Sequence, residues 1–354
     1  MATTQCPVPA GASVVGEMSG AAASGVAVPP RVVVFGPNPL LTVTLEREGE
    51  GERAREQVHL HAGGQGVWVA RMVAELGAEP VLCGFSGGET GEVLEPLLRR
   101  LGGRLRLVRT ESPSGCYVTD RRSGERRLLT FAPSVPPSRH ELDELFSLTC
   151  AEAIACGWLV VANPLPGELL PVEVYGDLVA DARANGARTL VDLSSPRLDS
   201  ALRGEPDLVK LNDWQLAEFV RGPVSEPGQL LAAARRLRDA GARAVLVTRG
   251  EQPGLLLDGE KVLGLTPPRL EHGFREGCGD AMLGALAATW ARGETLPDAV
   301  RVGAAAGAAN FLRHGLGSAS REVVERLVGS VGLEALTAAA RGPAPAGSPP
   351  APPS

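Results

Sequence analysis

Two kinds of apolar spacing alternate along the chain from Arg31 to about Gly329. Short β-branched runs at Arg31 to Phe35, Val81 to Gly84, Leu159 to Ala162, Thr189 to Asp192, Asp207 to Lys210 and Ala244 to Thr248 read as strands. Between them, Gly66 to Leu76, Glu89 to Leu101, Leu178 to Ala184, Gln229 to Ala240 and Leu296 to Phe311 carry apolar residues at helical spacing. Strand and helix in alternation predict a βαβ series, an α/β fold with a parallel sheet. Two stretches break that rhythm: Leu41 to Glu46 with Gln57 to His61, and Gly115 to Asp120 with Arg126 to Phe131, the second turning at Arg122, Ser123 and Gly124. These strand pairs are expected to form either a small β lid over a cleft or two ordinary surface hairpins. Residues 1–30 and 341–354 are rich in Ala, Gly, Ser and Pro without periodicity, so both ends are expected to be disordered tails around one domain at 31–340.

Composition narrows the partner. A net charge of −6 with interspersed signs lacks the basic stripe of a nucleic-acid binder, which points to a small molecule. The six cysteines form neither a CxxC pair nor a Cys/His ligand spacing, so a reducing cytoplasm fits better than a disulfide framework or a zinc site. No run of about 18 apolar residues predicts a membrane span, and the first residues lack a secretory pattern.

The candidate chemistry lies in glycine corners. Gly277, Cys278, Gly279 and Asp280 precede the alanine-rich run Ala281 to Arg292. Glycines let successive amides converge, and the following helix start adds unpaired N–H groups, so the corner suits an anion. Asp280 at its rim either accepts a proton from a hydroxyl or merely N-caps the helix. The helix dipole is expected to keep Asp280 ionised and to lower the Cys278 thiol pKa. A second cluster, His61 to Gly66, opens another helix with Gly63, Gly64 and Gln65, which suits a sugar or nucleoside as well as it suits a plain tight turn. A third, Gly84 to Gly91, does not match GxGxxG, and no GxxxxGK[ST] occurs, which argues against nicotinamide and P-loop designs.

In order, Asn38-Pro39, GGQGVWVARMVAELG from Gly63, GFSGGETG from Gly84, KLN from Lys210, VTRGE from Val247 and GCGDAMLGALAATWARG from Gly277 form a set. The set resembles the PfkB family of ribokinase-like carbohydrate kinases, most closely its 1-phosphofructokinase and tagatose-6-phosphate kinase branch. The resemblance implies a Rossmann-type αβα sandwich with a small β-sheet lid, and ATP- and Mg²⁺-dependent phosphorylation of a hydroxyl on a small sugar or sugar phosphate. It casts Asp280 as catalytic base and the amides of Gly277, Cys278 and Gly279 as anion hole. Lys210, Asn212, Thr248 and Gly250 would serve the ATP phosphates, and the helix from Gly303 to Asn310 would wall the adenine. Asn38, Gly63, Gly64 and Gln65 would hold the acceptor, and relatives pair through their lids as homodimers.

Departures from the family pattern bear on substrate and metal. Gln65 stands for a lysine, Trp68 for an asparagine, Thr42 for an aspartate and Pro113 for an arginine, which thins the cationic clamp for an acceptor phosphate. Arg121, Arg122, Arg126 or Arg127 could replace it from the lid. In the family's NxxE segment Gln215 brings no charge, leaving Asp213 as a candidate metal stand-in. Ahead of GCGD, Phe274, Arg275 and Glu276 replace small polar residues; Arg275 could reach a phosphate, pair with Glu276 or face water. A catalytically reduced binding protein and a nucleoside kinase, with Trp68 stacking on a base, are the alternative readings.

Overall fold

The computed structural model describes residues 28–49, 54–164, 169–313 and 317–336. The expected tails lie outside these residues except for Val28 to Pro30, which lead without regular structure into the first strand. Ten strands form the large sheet in the order β14 (Gly332–Ala335), β13 (Lys261–Thr266), β12 (Gln252–Asp258), β11 (Ala244–Arg249), β10 (Leu208–Asn212), β9 (Arg188–Asp192), β8 (Trp158–Ala162), β1 (Arg31–Phe35), β4 (Glu79–Gly87) and β5 (Arg104–Thr110).

From β11 to β5 neighbouring strands run parallel, but β12, β13 and β14 pair antiparallel. The expectation of a parallel sheet is therefore corrected at one edge. The hairpin there turns at Gly259 and Glu260, a Gly-containing turn joining two apolar runs.

Both faces of the sheet are covered, and side chains of β1 show how. Val32 and Val34 join one core with α1 (Gln65–Glu75), α2 (Gly88–Arg99), α8 (Cys278–Ala291), α9 (Leu296–Phe311) and α10 (Arg321–Val328). Val33 and Phe35 join the other with α3 (Arg139–Cys156), α4 (Glu173–Ala184), α5 (Arg197–Leu202), α6 (Asp213–Val220) and α7 (Pro227–Asp239). Alternation along a strand sends neighbours to opposite layers, so continuous apolar runs belong to a doubly covered sheet. Helix α8 is apolar around its circumference because it is enclosed, with α1, α9 and the sheet as neighbours.

The lid is a separate four-stranded sheet in the order β3 (Arg55–Gly63), β2 (Leu40–Glu48), β6 (Cys116–Asp120) and β7 (Arg127–Ala132). Two antiparallel hairpins are joined along their inner strands by the parallel pairing of β2 with β6. The hydroxyls of Thr44 and Thr119 meet across that seam at 3.2 Å. The turn after β6 is organised by Asp120, which accepts from the Arg122 N–H at 3.0 Å and from its guanidinium at 2.9 Å. Those bonds hold the Asp120 carboxyl far below the usual carboxylate range.

Candidate active site

The carboxyl ends of β9, β10 and β11, carrying Asp192, Asn212 and Arg249, point to the same side as the start of α8. This is the side of an open α/β sheet where ligands bind. Gly277 caps α8 with φ 75° and ψ 0° and no side-chain cap, a left-handed conformation that a Cβ would strain. The helix start is thereby left without a covering side chain. Of its first amides, Cys278 N–H reaches back weakly to the Arg275 carbonyl at 3.4 Å.

Asp280 is the third residue of α8, so it is not the N-cap. It is also not at an open rim, being only 7 % exposed. Behind it Lys210 donates to Asp192 in a buried ion pair. A Cβ on Gly279 would lie 2.8 Å from Lys210 Nζ, so the glycine is what lets the pair approach the helix start. Burial first, and the Asp192 charge second, raise the Asp280 pKa to about 7 against the opposing pull of Lys210. The expected dominance of the helix dipole is thus corrected: desolvation outweighs it. The same cause overturns the expectation for Cys278, whose thiol pKa is raised by burial rather than lowered.

Polar side chains continue from that pair. Gln215 Nε2 lies 3.5 Å from Asp192 Oδ1 and donates to Ser194 Oγ at 3.2 Å, while Asn163 Nδ2 reaches the same Ser194 Oγ at 3.4 Å. Gln215 and Asn212 form a reciprocal capping box at the start of α6, with bonds of 2.8 and 3.0 Å. Gln215 therefore keeps the structural half of the role its position implies and supplies no charge. Asp213 faces Arg249 Nε at 3.8 Å and accepts the Trp214 N–H, so its carboxylate is directed to a cation of the chain. Among the described residues no group of three or more His, Cys, Asp or Glu is placed to hold a metal ion.

Two clefts are lined by the segment that leads into the corner. One, enclosing about 860 Å³ partly open to solvent, has a polar end at Thr248, Gly250 and Gly279. Its apolar wall includes Pro267, Leu270, Met282, Ala304, Gly307 and Phe311. The other, about 1340 Å³ beneath the lid, includes Thr42, His61, Gly63, Trp68, Arg71 and Arg121 in its lining. The irregular approach to α8 is shared between them: Phe274 and Glu276 line the lid cavity, whereas Arg275, Cys278 and Gly279 line the apolar cleft. Asp280 follows directly in sequence, buried, and lines neither cleft.

The sequence-derived site residues separate on this map. Thr248, Gly250, Cys278 and Gly279 share the apolar cleft, and Gly63 lines the lid cavity. Asn38 and Gln65 instead border a crevice of about 200 Å³, with the Gln65 Oε1 buried and without a hydrogen-bond partner. Gly64 is the N-cap of α1 with φ 102°. Lys210 is engaged with Asp192 and Asn212 with Gln215. Asn310 is fully buried; its amide nitrogen donates to the Glu276 carbonyl at 3.0 Å and its oxygen accepts from Ser318 N–H at 3.1 Å. It braces the approach to the corner and does not face a cleft.

Arg275 pairs with Glu251 at 3.1 Å, not with Glu276. The lid arginines expected as spare cations are each beside a carboxylate: Arg121 with Glu46, Arg122 and Arg127 with Asp120, and Arg126 with Glu276. Sequence reasoning missed Asp192, Ser194, Asn163 and Arg71. For Asp192 a signal existed, an acidic residue ending an apolar strand on the ligand side of the sheet.

Comparisons with known proteins bear on the family and the fold. Residues 30–322 match the model of the pfkB family carbohydrate kinase. The ATP-dependent 6-phosphofructokinase isozyme 2 of Escherichia coli strain K12 is 30 % identical over 269 residues, 75 % of this chain and 86 % of its own length. The D-tagatose-1-phosphate kinase of Bacillus licheniformis is 29 % identical, covering 73 % of this chain and 84 % of that protein. The crystal structure of phosphofructokinase-2 from Escherichia coli in complex with potassium superposes with a TM-score of 0.73 at 26 % identity, covering 86 % of this chain and 99 % of that one. A ribokinase-like body with its lid, matched over most of its length in sequence and in shape, makes this chain a member of the pfkB family of carbohydrate kinases.

Proposed function

We propose that the chain transfers the terminal phosphoryl group of ATP to a hydroxyl of a small sugar or sugar phosphate. One observation carries the reading: the uncapped start of α8 lines the apolar cleft through Cys278 and Gly279, the segment leading into it also lines the lid cavity, and a buried carboxylate follows at once in Asp280. The adenine fits the apolar wall formed by Leu270, Met282, Ala304 and Phe311, and the phosphates extend toward Thr248, Gly250 and Gly279. The acceptor fits beneath the lid, between Gly63, Thr42 and Trp68.

In transfer, Asp280 accepts the hydroxyl proton as the oxygen attacks the γ-phosphorus and the bond to the β-phosphate oxygen breaks. The N–H groups at the start of α8 stabilise the moving phosphoryl oxygens. A carboxyl with a pKa near 7 is a better proton acceptor than an ordinary aspartate, at the cost of being partly protonated at neutral pH. Burial and the Asp192 charge favour the protonated form, and Lys210 favours the ionised one. Mg²⁺, bound through the nucleotide's phosphates, would neutralise part of their charge; the residues present offer it no cage of their own.

Cytoplasmic action belongs to the same reading, consistent with the absence of a helix long and apolar enough to cross a membrane among the described residues. So does pairing of two copies through the lid, whose Val58, Leu60, Leu128 and Leu129 are exposed. The test is ATP consumption by purified protein across a panel of sugars and sugar phosphates, in parallel with Asp280→Asn. Turnover that survives this substitution unchanged rejects the mechanism, and a panel with no turnover at all favours a binding protein.

A further inference from the structure

Three consecutive residues ahead of the corner reach in alternate directions. Phe274 lines the lid cavity and its N–H is fixed to the Phe311 carbonyl at 2.7 Å. Arg275 lines the apolar cleft and donates to Glu251, in the turn between β11 and β12, at 3.1 Å. Glu276 lines the lid cavity and accepts from Arg126, in the turn between β6 and β7 of the lid. The backbone between these arms is braced by Asn310 through the Glu276 carbonyl. One short segment thus has a hand on the lid, a hand on the neighbouring cleft and its end at Gly277.

Both ion pairs are solvent-exposed: Arg126 and Glu276 are 37 % and 65 % accessible, Arg275 and Glu251 79 % and 62 %. Such pairs add little to global stability. Their value lies in what they join. At its root the lid is tied to the body by Ser134, whose hydroxyl donates to Asn38 Oδ1 at 2.5 Å and accepts from Gly115 N–H at 2.7 Å. At the tip the contact is Arg126 with Glu276, on the loop that leads directly into the phosphoryl corner.

We propose that Arg126 and Glu276 are positioning residues: they latch the lid tip to the approach of α8, and with Arg275–Glu251 they make occupation of the apolar cleft felt at the lid. A polyanion entering beside Arg275 draws that guanidinium from Glu251 and shifts the short segment carrying Glu276. The lid turn moves with it through Arg126. The coupling is a property of the latch and rests on the kinase reading only for the identity of the polyanion.

Hydrogen–deuterium exchange with AMP-PNP as the probe tests this without knowledge of the acceptor. In the wild-type protein, AMP-PNP slows exchange in the peptide spanning 248–254 and also in the lid hairpin at 116–132, which does not line that cleft. In Glu276→Gln the first slowing persists and the second falls by about fivefold or more, the lower range of site-to-site coupling. Arg126→Gln does the same, and the exchanged pair Arg126→Glu with Glu276→Arg restores lid protection. Thermal midpoints of the singles stay within about 2 °C of wild type, because an exposed pair contributes little to stability.

Equal lid protection in wild type and Glu276→Gln overturns the proposal, as does an exchanged pair no better than the singles. If AMP-PNP fails to protect 248–254 in the wild type, the nucleotide reading fails instead. The latch is then decided in the ligand-free protein, where Glu276→Gln must speed exchange of the hairpin; unchanged exchange there rejects it.

Discussion

The apolar cleft and the lid cavity are neighbours across one loop and opposites in chemistry. The first has an apolar wall from α8, α9 and the residues after β13, with Arg249, Glu251, Gln252 and Arg275 as its charged and polar lining. The second mixes Arg71, Arg121 and Arg126 with Glu46, Glu125 and Glu276, besides Trp68 and His61. A flat adenine and a phosphate chain place similar demands on any kinase of this fold, whereas each acceptor demands its own arrangement of charges and hydroxyls. Of the departures from family pattern, Thr42, Trp68, Phe274 and Glu276 line the lid cavity, whereas Arg275 lines the apolar cleft.

The largest expected effect is at Asp280, the proposed proton acceptor. Asp280→Asn keeps the shape and removes the proton acceptor, so kcat falls by about 10²–10⁴ with little change in the KM for ATP, measured by coupled ATP turnover. The pH profile sharpens the assignment: kcat in wild type rises as pH increases through about 7, and this limb disappears in the variant.

Stability gives the same carboxyl a second signature, with a defined sign. Because its folded pKa is raised, the native state binds more protons than the unfolded one between the ordinary value of 3.8 and about 7, so the Asp280 contribution falls as pH rises through that window. Asp280→Asn removes the penalty. Its thermal midpoint at pH 8 should exceed that of wild type by roughly 2–4 °C, as for about 1 kcal/mol, and the gap should close near pH 4.

Arg71→Ala addresses the lid cavity alone. It should raise the acceptor KM by about tenfold, the loss of one charge-assisted hydrogen bond, and leave the KM for ATP unchanged. A matched rise in both would break the division of labour between the clefts. The smallest effect is at Cys278. Its raised thiol pKa predicts alkylation by iodoacetamide at pH 7.5 slower than that of a free cysteine thiol, and ATP should slow it further because the residue lines the apolar cleft.

The parallel core and both lid hairpins were legible because each obeys a single rule of burial. Arg31 to Phe35 and Leu296 to Phe311 occur as elements with the expected bounds. Strand β5, RLRLVRT, alternates charge with apolar residues at the sheet edge and escaped a search for continuous apolar runs. Helix α3 was missed because its apolar positions are dispersed around it, although Ser138 and Glu141 spell its capping box. In the site, backbone-defined features were readable from glycines, including the left-handed Gly277. Charge states were not: the position of Asp192 and the desolvation of Asp280 depend on three strands and a helix meeting, which no local pattern records.

The construction of the lid also sets an order of assembly. Its two hairpins are interrupted in sequence by α1, β4, α2 and β5, yet β2 must lie beside β6 with Leu41 opposite Cys116. Closing so long a loop before the intervening elements dock is entropically costly, so the Thr44–Thr119 seam is expected to form late, on a body already compacted. What assembles last over a finished scaffold can also come apart without dismantling it.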